Sequence, residues 1–123
     1  MSFRLFPSKT AKGQHFEQQA ERWLRKQGLT AVARNVRFRG GEIDLVMRDG
    51  EQWVFIEVKY RSRQDFGGAA HAISAAQQQR LWHSARRYLH DQGVNEWDCS
   101  CRFDVIFFQG EGEPVWLKDA FCH

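Results

Sequence analysis

The chain has 123 residues, of which 42% are hydrophobic and 14% aromatic, and its formal net charge is +3. This length corresponds to one domain, and the aromatic content excludes an intrinsically disordered chain. No apolar run approaches the roughly 18 residues of a membrane span, and residues 1–13 lack the apolar stretch of a signal peptide. We therefore expect one cytoplasmic domain over residues 1–123, with residues 1–10 as a flexible N-terminal segment.

The charges are unevenly distributed along the chain. Residues 1–39 hold nine Lys or Arg and two acidic residues, a local charge of +7, whereas residues 40–123 carry a local charge of −4. A basic surface beside an acidic cluster is typical of a metal enzyme that acts on a polyanion, and it favours nucleic acid as the partner. A solvated basic surface without a partner remains the alternative.

Hydrophobic periodicity predicts two helices and five strands. Gly28 is expected to end the first helix, and Ser74 to cap the second. Asp49-Gly50 is typical of a tight hairpin turn. The order αβββαββ predicts an α/β domain with a mixed sheet flanked by helices. The predicted elements are a helix at 11–27, strands at 31–38, 42–48 and 52–60, a loop at 61–70, a helix at 74–92, and strands at 102–109 and 115–118.

The predicted hairpin brings charged side chains together. With Asp49-Gly50 as its two-residue turn, alternation places Glu42, Asp44, Glu57 and Lys59 on one face. Asp44 and Glu57 are then diagonal neighbours, about 7–8 Å apart in the backbone, close enough for both to hold one ion. The opposite face is expected to be apolar, with Ile43, Leu45, Met47, Val54, Ile56, Val58 and Tyr60.

Clustered carboxylates repel one another unless a cation lies among them. One interpretation is a Mg²⁺ site, because Mg²⁺ binds through one or two carboxylates and keeps several waters. A lysine beside such a site orients or deprotonates a bound water. The other interpretation is a structural ion-pair network in which Lys59 and an arginine neutralise the carboxylates.

The sequence matches the D-x(n)-(D/E)-x-K core of the PD-(D/E)XK nuclease superfamily. The match consists of Asp44, twelve intervening residues and then Glu57-Val58-Lys59. From residue 12 to residue 121 the sequence resembles the YraN-like family of small bacterial proteins, which are regarded as endonucleases similar to archaeal Holliday-junction resolvases. The resembling segments are Gly13-Gln-His-Phe-Glu17, Ala20, Leu24, Gly28, Asn35, Gly41-Glu-Ile-Asp-Leu45, Phe55-Ile-Glu-Val-Lys-Tyr-Arg61 and Arg102-Phe-Asp-Val-Ile106.

This resemblance implies a restriction-endonuclease-like fold and a Mg²⁺-dependent (or Mn²⁺-dependent) endonuclease that hydrolyses DNA phosphodiester bonds, plausibly at branched structures. Asp44 and Glu57 would bind the metal, with the Val58 carbonyl as a further ligand, and Lys59 would be the catalytic lysine. Glu17 resembles the first-helix glutamate that completes the metal site. Helical spacing gives separate support, because it places Glu17 at the border of the buried face of the helix. The alternative is that Glu17 is an ordinary solvated acid.

Four other polar residues are candidates for supporting or structural roles. Glu42 either supports the metal site or pairs with an arginine such as Arg39. Gln77 and Gln78 stand where the family usually has a lysine, so they supply hydrogen bonds to water or phosphate but no charge. For Asp104 we expect a structural hydrogen bond or a pair with Arg102, because it lies in an otherwise apolar strand.

The candidate DNA contacts are arginines near the predicted hairpin and on the second helix. Such contacts position a phosphate backbone without specifying bases, which favours recognition of DNA shape over sequence. A catalytically silent nucleic-acid-binding module would use the same arginines, and a protein-interaction domain would instead expose an apolar patch. The sequence does not define the oligomeric state, and symmetric cleavage of a four-way junction would need two active sites and hence a dimer. The candidates are Arg34, Arg37, Arg39, Arg61, Arg63, Arg80 and Arg87.

The three cysteines are an odd number, which favours thiols in a reducing compartment. Cys99 and Cys101 with Cys122 and His123 could be read as four zinc ligands. Their spacing is not that of a zinc knuckle, so we expect Cys99 and Cys101 simply to share one face of a strand.

Overall fold

In a computed structural model, residues 11–61, 73–95, 97–110 and 112–121 are described. They form the predicted αβββαββ order, and no helix among them is long and apolar enough to cross a membrane. The predicted flexible segment at 1–10 and the predicted loop after residue 61 lie outside these residues. The elements are α1 (Ala11–Lys26), β1 (Thr30–Phe38), β2 (Gly41–Asp49), β3 (Gln52–Arg61), α2 (Ala75–Asp91), β4 (Cys101–Gln109) and β5 (Val115–Leu117).

The five strands form one mixed sheet in the order β1-β2-β3-β4-β5. Strands β3 and β4 are parallel, and the other neighbouring pairs are antiparallel. A parallel pair needs a crossover connection, and α2 lies in the connection between β3 and β4. The prediction of a mixed sheet flanked by helices is confirmed.

Each helix covers one face of the sheet. Ala20 and Leu24 of α1 are fully buried against Leu45 and Ile56, whereas Leu81 and Leu89 of α2 belong to a second apolar cluster. The two clusters together make a three-layer arrangement of helix, sheet and helix. The strand residues of the second cluster include Ile43, Val46, Trp53, Phe55 and Phe103.

The predicted helix ends are confirmed. Gly28 has φ 106°, and the N–H groups of Gly28 and Leu29 donate to the carbonyls of Arg25 and Leu24, which is a Schellman ending. At the start of α2, Ser74 accepts a hydrogen bond from the Gln77 N–H, as an N-cap does.

The predicted hairpin turn is wrong by one residue. Asp49 pairs with Gln52, so the turn is Gly50-Glu51, with Gly50 at φ 62°. Glycine at the first central position is what a type II′ turn requires, whereas the sequence reading placed it second. The register therefore differs by two residues from the predicted one. The last pair in the observed register is Leu45 with Ile56. Asp44 and Glu57 are the next residues on the two strands, so they lie opposite each other in the continued register and are not diagonal neighbours.

The predicted apolar face is wrong at Ile43. Ile43 packs in the cluster that contains α2, whereas Leu45, two residues later, packs in the cluster that contains α1. Residues i and i+2 of a regular strand share one face, so β2 departs from the regular pleat at Asp44. The adjoining strand is also irregular here, because Asn35 of β1 has a left-handed φ of 52°.

Candidate active site on strands β2 and β3

The Asp44 carboxylate is fixed where β2 and β3 end their pairing. Asp44 is 2% exposed, and its Oδ2 accepts a hydrogen bond from the Val58 N–H at 2.9 Å. The Val58 N–H of β3 therefore bonds to a side chain of β2, just beyond the last backbone pair of the two strands, Leu45 with Ile56. The bond holds the carboxylate beside the residue that separates Glu57 from Lys59.

Glu57 and Lys59 form an ion pair in β3. The Lys59 Nζ lies 3.4 Å from the Glu57 Oε2, and the two side chains are 14% and 18% exposed respectively. Residues two apart in a strand share a face, which explains why they meet. The structure therefore brings three of the predicted catalytic residues, Asp44, Glu57 and Lys59, to one place on the sheet.

Glu17 is buried on α1, where it is 2% exposed. This helix packs on the face that carries Ile56 and Val58, whereas alternation turns Glu57 towards the other face. Within the described ranges, no three His, Cys, Asp or Glu side chains are grouped closely enough to hold one metal ion. The participation of Glu17 beside Asp44 and Glu57 thus stays a prediction.

Glu42 pairs with an arginine, as one of its two interpretations expected. The partner is Arg37, whose Nε lies 3.4 Å from the Glu42 Oε1, and not Arg39. The sheet explains the choice, because Arg37 of β1 is the cross-strand partner of Glu42 of β2. This ion pair accounts for Glu42 without a metal.

Several of the predicted DNA-contacting arginines have partners within the protein. Arg34 lies 3.0 Å from Glu21, which also binds Arg25 at 2.8 Å. Arg37 is mostly buried against Glu42. The i,i+4 pair of Glu21 with Arg25 is expected from the sequence. The sequence does not define the partners of Arg34 and Arg37, because these depend on which residues of α1, β1 and β2 face each other.

The remaining candidate arginines among the described residues are exposed and differ in their contacts within the protein. Arg87 of α2 donates from Nε to both oxygens of Asp91, at 3.1 and 3.2 Å, and its guanidinium lies over the Phe38 ring. Arg39 and Arg80 are exposed, which leaves them as the clearest candidates for phosphate contacts in the described part of the chain. The Arg61 side chain and Arg63 lie outside it.

Gln77 and Gln78 take part in the start of α2. The Gln77 Oε1 accepts from the Ser74 N–H at 3.3 Å, which completes a capping box with the bond from the Gln77 N–H to Ser74. The Gln78 Nε2 donates to the Ile73 carbonyl at 3.4 Å. These bonds explain both glutamines without a role in support of the metal site.

Asp104 is structural, as expected. It is 0% exposed and accepts both an Arg102 Nε–H at 3.0 Å and the Trp116 indole N–H at 2.9 Å. Arg102 also donates to Asp49 and Gln52 at 3.0 and 2.7 Å. Burial alone would lower the pKa of Arg102, but its bonds to Asp104 and Asp49 outweigh burial and raise that pKa. The network ties β4 to the hairpin end of β2 and β3.

Cys99 and Cys101 have no disulfide between them, and both are half-buried against the cluster that contains α2. Cys122 and His123 lie outside the described residues. The four-ligand zinc interpretation therefore has only two of its members in the described structure.

The sequence is similar to those of bacterial proteins. A protein from Aeromonas hydrophila is 53% identical over 117 residues, covering 95% of this chain and 89% of its own, and one from Colwellia psychrerythraea is 48% identical, covering 93% and 91%. Both carry the name UPF0102 protein.

A solved structure has a similar fold. It is Archaeoglobus fulgidus Hjc, a Holliday junction resolvase from an archaeal hyperthermophile, with a TM-score of 0.52 and 19% identity, covering 88% of this chain and 73% of its own. At this level of identity the likeness concerns the fold. The model of the family described as "Uncharacterised protein family UPF0102" matches residues 16–108, so the chain belongs to that family.

Proposed function

We propose that this protein is a divalent-metal-dependent endonuclease that hydrolyses phosphodiester bonds in DNA. The observation that carries the proposal is the hydrogen bond from the Val58 N–H to the buried Asp44, which sets a carboxylate beside the Glu57–Lys59 pair. Burial of charged groups costs free energy, so a buried carboxylate beside a mostly buried ion pair is a candidate functional site.

The donor set suits a hydrated Mg²⁺ or Mn²⁺ ion. Mg²⁺ requires one or two carboxylates and retains water, so Asp44 and Glu57 suffice, with the Val58 carbonyl and Glu17 as further oxygen donors. Such an ion, when bound, polarises a phosphoryl oxygen and acidifies a bound water. The absence of a three-ligand group among the described residues does not conflict with a site of two carboxylates and water.

The chain's own residues bind and orient the substrate. Lys59 holds an ammonium group near Glu57, at a place where it can orient the attacking water and balance negative charge on the phosphate. Arg39 and Arg80 are exposed cations that would contact the DNA backbone. In this proposal β2 and β3 carry the catalytic residues, whereas α2 and the β1–β2 turn carry the contacts to the DNA backbone.

Branched DNA is the substrate form that we favour. The fold similarity to a Holliday junction resolvase supports this choice, as does a set of candidate contacts directed at phosphate rather than bases. Symmetric cleavage of a four-way junction requires two active sites, so the protein would act there as a dimer.

A silent nucleic-acid-binding module is the second candidate. The observation that favours it is that Glu57 and Glu42 both pair with cations of the protein itself, as in a structural network. The two candidates differ in whether the acidic residues bind a metal.

Cleavage of labelled DNA decides between them. Four-way junctions, duplexes and single strands are incubated with the protein and Mg²⁺ or Mn²⁺, and EDTA serves as the control. The proposal expects cutting with metal, greatest on the junction, and none with EDTA. Binding of DNA without cutting of any form would leave the silent module as the function.

A further inference from the structure

Asn35 has an unusual backbone for a residue inside a strand. Its φ is 52°, in the left-handed region that residues other than glycine seldom adopt, although asparagine tolerates it better than most. Strained backbone of this kind persists where the surrounding structure determines it, and it is enriched at functional sites.

The Asn35 side chain also has an unsatisfied acceptor. Its Oδ1 is buried and has no hydrogen-bond partner among the described residues. A buried acceptor without a donor costs free energy, so such atoms usually receive a hydrogen bond from a water, an ion's hydration shell or a ligand.

The position of Asn35 indicates which group supplies that donor. Asn35 lies between Arg34, which pairs with Leu45, and Val36, which pairs with Ile43. Its cross-strand neighbour is therefore Asp44, where β2 changes face. The irregularities of the two strands coincide at the carboxylate that would bind the metal.

We propose that the Asn35 carboxamide oxygen accepts a hydrogen bond from a water of the hydrated divalent cation at Asp44. The inference rests on the proposed function, since it requires that cation. Asn35 is then a positioning residue: it orients the metal's hydration shell, and its left-handed backbone presents the oxygen at Asp44. Groups that support a metal in this way typically change its affinity 10–100-fold.

Replacement of Asn35 by glycine separates the side chain from the backbone. Glycine adopts φ 52° without strain, so Asn35→Gly retains the conformation and removes only the carboxamide. Asp119 also has φ 52°, and its backbone N–H bonds to Asp104, which makes Asp119→Gly a matched control outside the candidate site. The measurement is Mn²⁺ titration by calorimetry, which requires no DNA and no cleavage.

We expect Asn35→Gly to raise the dissociation constant for Mn²⁺ at least tenfold, and Asp119→Gly to leave it unchanged. Asn35→Asp retains an oxygen and adds a negative charge, so it should bind Mn²⁺ a few-fold more tightly than the wild type. Wild-type affinity in Asn35→Gly would overturn the inference and leave the proposed function intact. If that variant fails to fold, unchanged or weaker binding by Asn35→Asp overturns the inference instead. No Mn²⁺ binding by the wild type would overturn both.

Discussion

At the scale of single residues, the structure separates Asp104 from the acidic residues of the candidate site. All the groups that contact the Asp104 carboxylate are donors of the protein: the Arg102 guanidinium, the Trp116 indole and the Asp119 N–H. Its charge is compensated and its acceptors are used. Asp44 is also buried, and it accepts a hydrogen bond from a neutral donor, the Val58 N–H.

Asp104→Asn should therefore destabilise the protein. The asparagine NH₂ would face donors, and Arg102 would lose its buried counter-charge, so we expect a loss of about 3 kcal/mol in the free energy of unfolding. Asp91→Asn is the control, because the exposed pair of Asp91 with Arg87 contributes about 0.5 kcal/mol or less. Urea unfolding measures both variants, and equal losses would contradict the structural role of Asp104.

Lys59→Ala tests chemistry apart from DNA binding. Removal of the ammonium group beside Glu57 should lower the cleavage rate at saturating DNA at least ~100-fold. DNA affinity should stay within a few-fold, because one lysine is a small part of the phosphate contact. Gel-shift titrations alongside cleavage time courses measure the two quantities.

The double variant Arg39→Ala with Arg80→Ala should show the opposite behaviour. It is expected to weaken DNA binding and to reduce the slope of log affinity against log salt by about 1.8, which corresponds to two phosphate contacts. Cleavage at saturating DNA should persist. Loss of affinity in Lys59→Ala, with none in the double variant, would contradict this assignment.

At the same scale, alternation explains which residues were predictable. A two-residue error in register leaves every side chain on its original face, so Glu57 and Lys59 were placed correctly despite the wrong turn. Ile43 lies on the other face because β2 departs from the regular pleat at Asp44, opposite the left-handed Asn35, and no periodicity in the sequence indicates that departure. The partner of Glu42 likewise depended on a register that only the sheet defines.

At the scale of elements, the contact between β2 and α2 depends on one glycine. A Cβ added to Gly41 would lie 2.9 Å from the Ser84 Oγ and 3.4 Å from the Arg80 carbonyl oxygen. Ser84 is buried in α2, so the side chain has little room to move. The close approach seats α2 at the start of the strand that carries Asp44.

Gly41→Ala should thus destabilise the protein by about 1–3 kcal/mol, as overpacking does. Gly40→Ala is the matched control, because a Cβ at Gly40 would meet nothing within 4 Å. Combining Gly41→Ala with Ser84→Ala, which removes the Oγ and retains a good helix former, should restore much of the loss. Thermal melts of the three variants measure this, and equal melting temperatures for Gly40→Ala and Gly41→Ala would contradict the packing argument.

The elements themselves were predictable because their signals are local. Gly28, Ser74 and the helical spacing of apolar residues define α1 and α2 without reference to the rest of the chain. The hairpin turn was misplaced because Asp-Gly suits one turn type and Gly-Glu another. Arg102 of β4 favours the Gly50-Glu51 turn, because it binds both Asp49 and Gln52, the pair that closes this turn.

At the scale of the whole molecule, the charge asymmetry overstates the free basic surface. Residues 1–39 carry a local charge of +7, but Arg25, Arg34 and Arg37 pair with Glu21 and Glu42. The spacing of Glu21 and Arg25 within α1 indicates their pair from the sequence alone. The pairs of Arg34 and Arg37 depend instead on how α1, β1 and β2 lie against one another. The surface available to DNA is therefore smaller than composition indicates, and it is best sought around Arg39 and Arg80.

The most direct test of the central claim is thermal melting with and without Mg²⁺ or Mn²⁺, because it needs no knowledge of the DNA substrate. An ion that binds only the folded state stabilises it by about 1.4 kcal/mol at ten times its dissociation constant, or roughly 5 °C. Asp44→Asn and Glu57→Gln should lose most of that gain. Without metal, Asp44→Asn should be at least as stable as the wild type, because asparagine can still accept the Val58 N–H. The metal site would be contradicted if the melting temperature of the wild type did not change with metal and both variants were destabilised by about 1–3 kcal/mol. That result would indicate a structural ion-pair network.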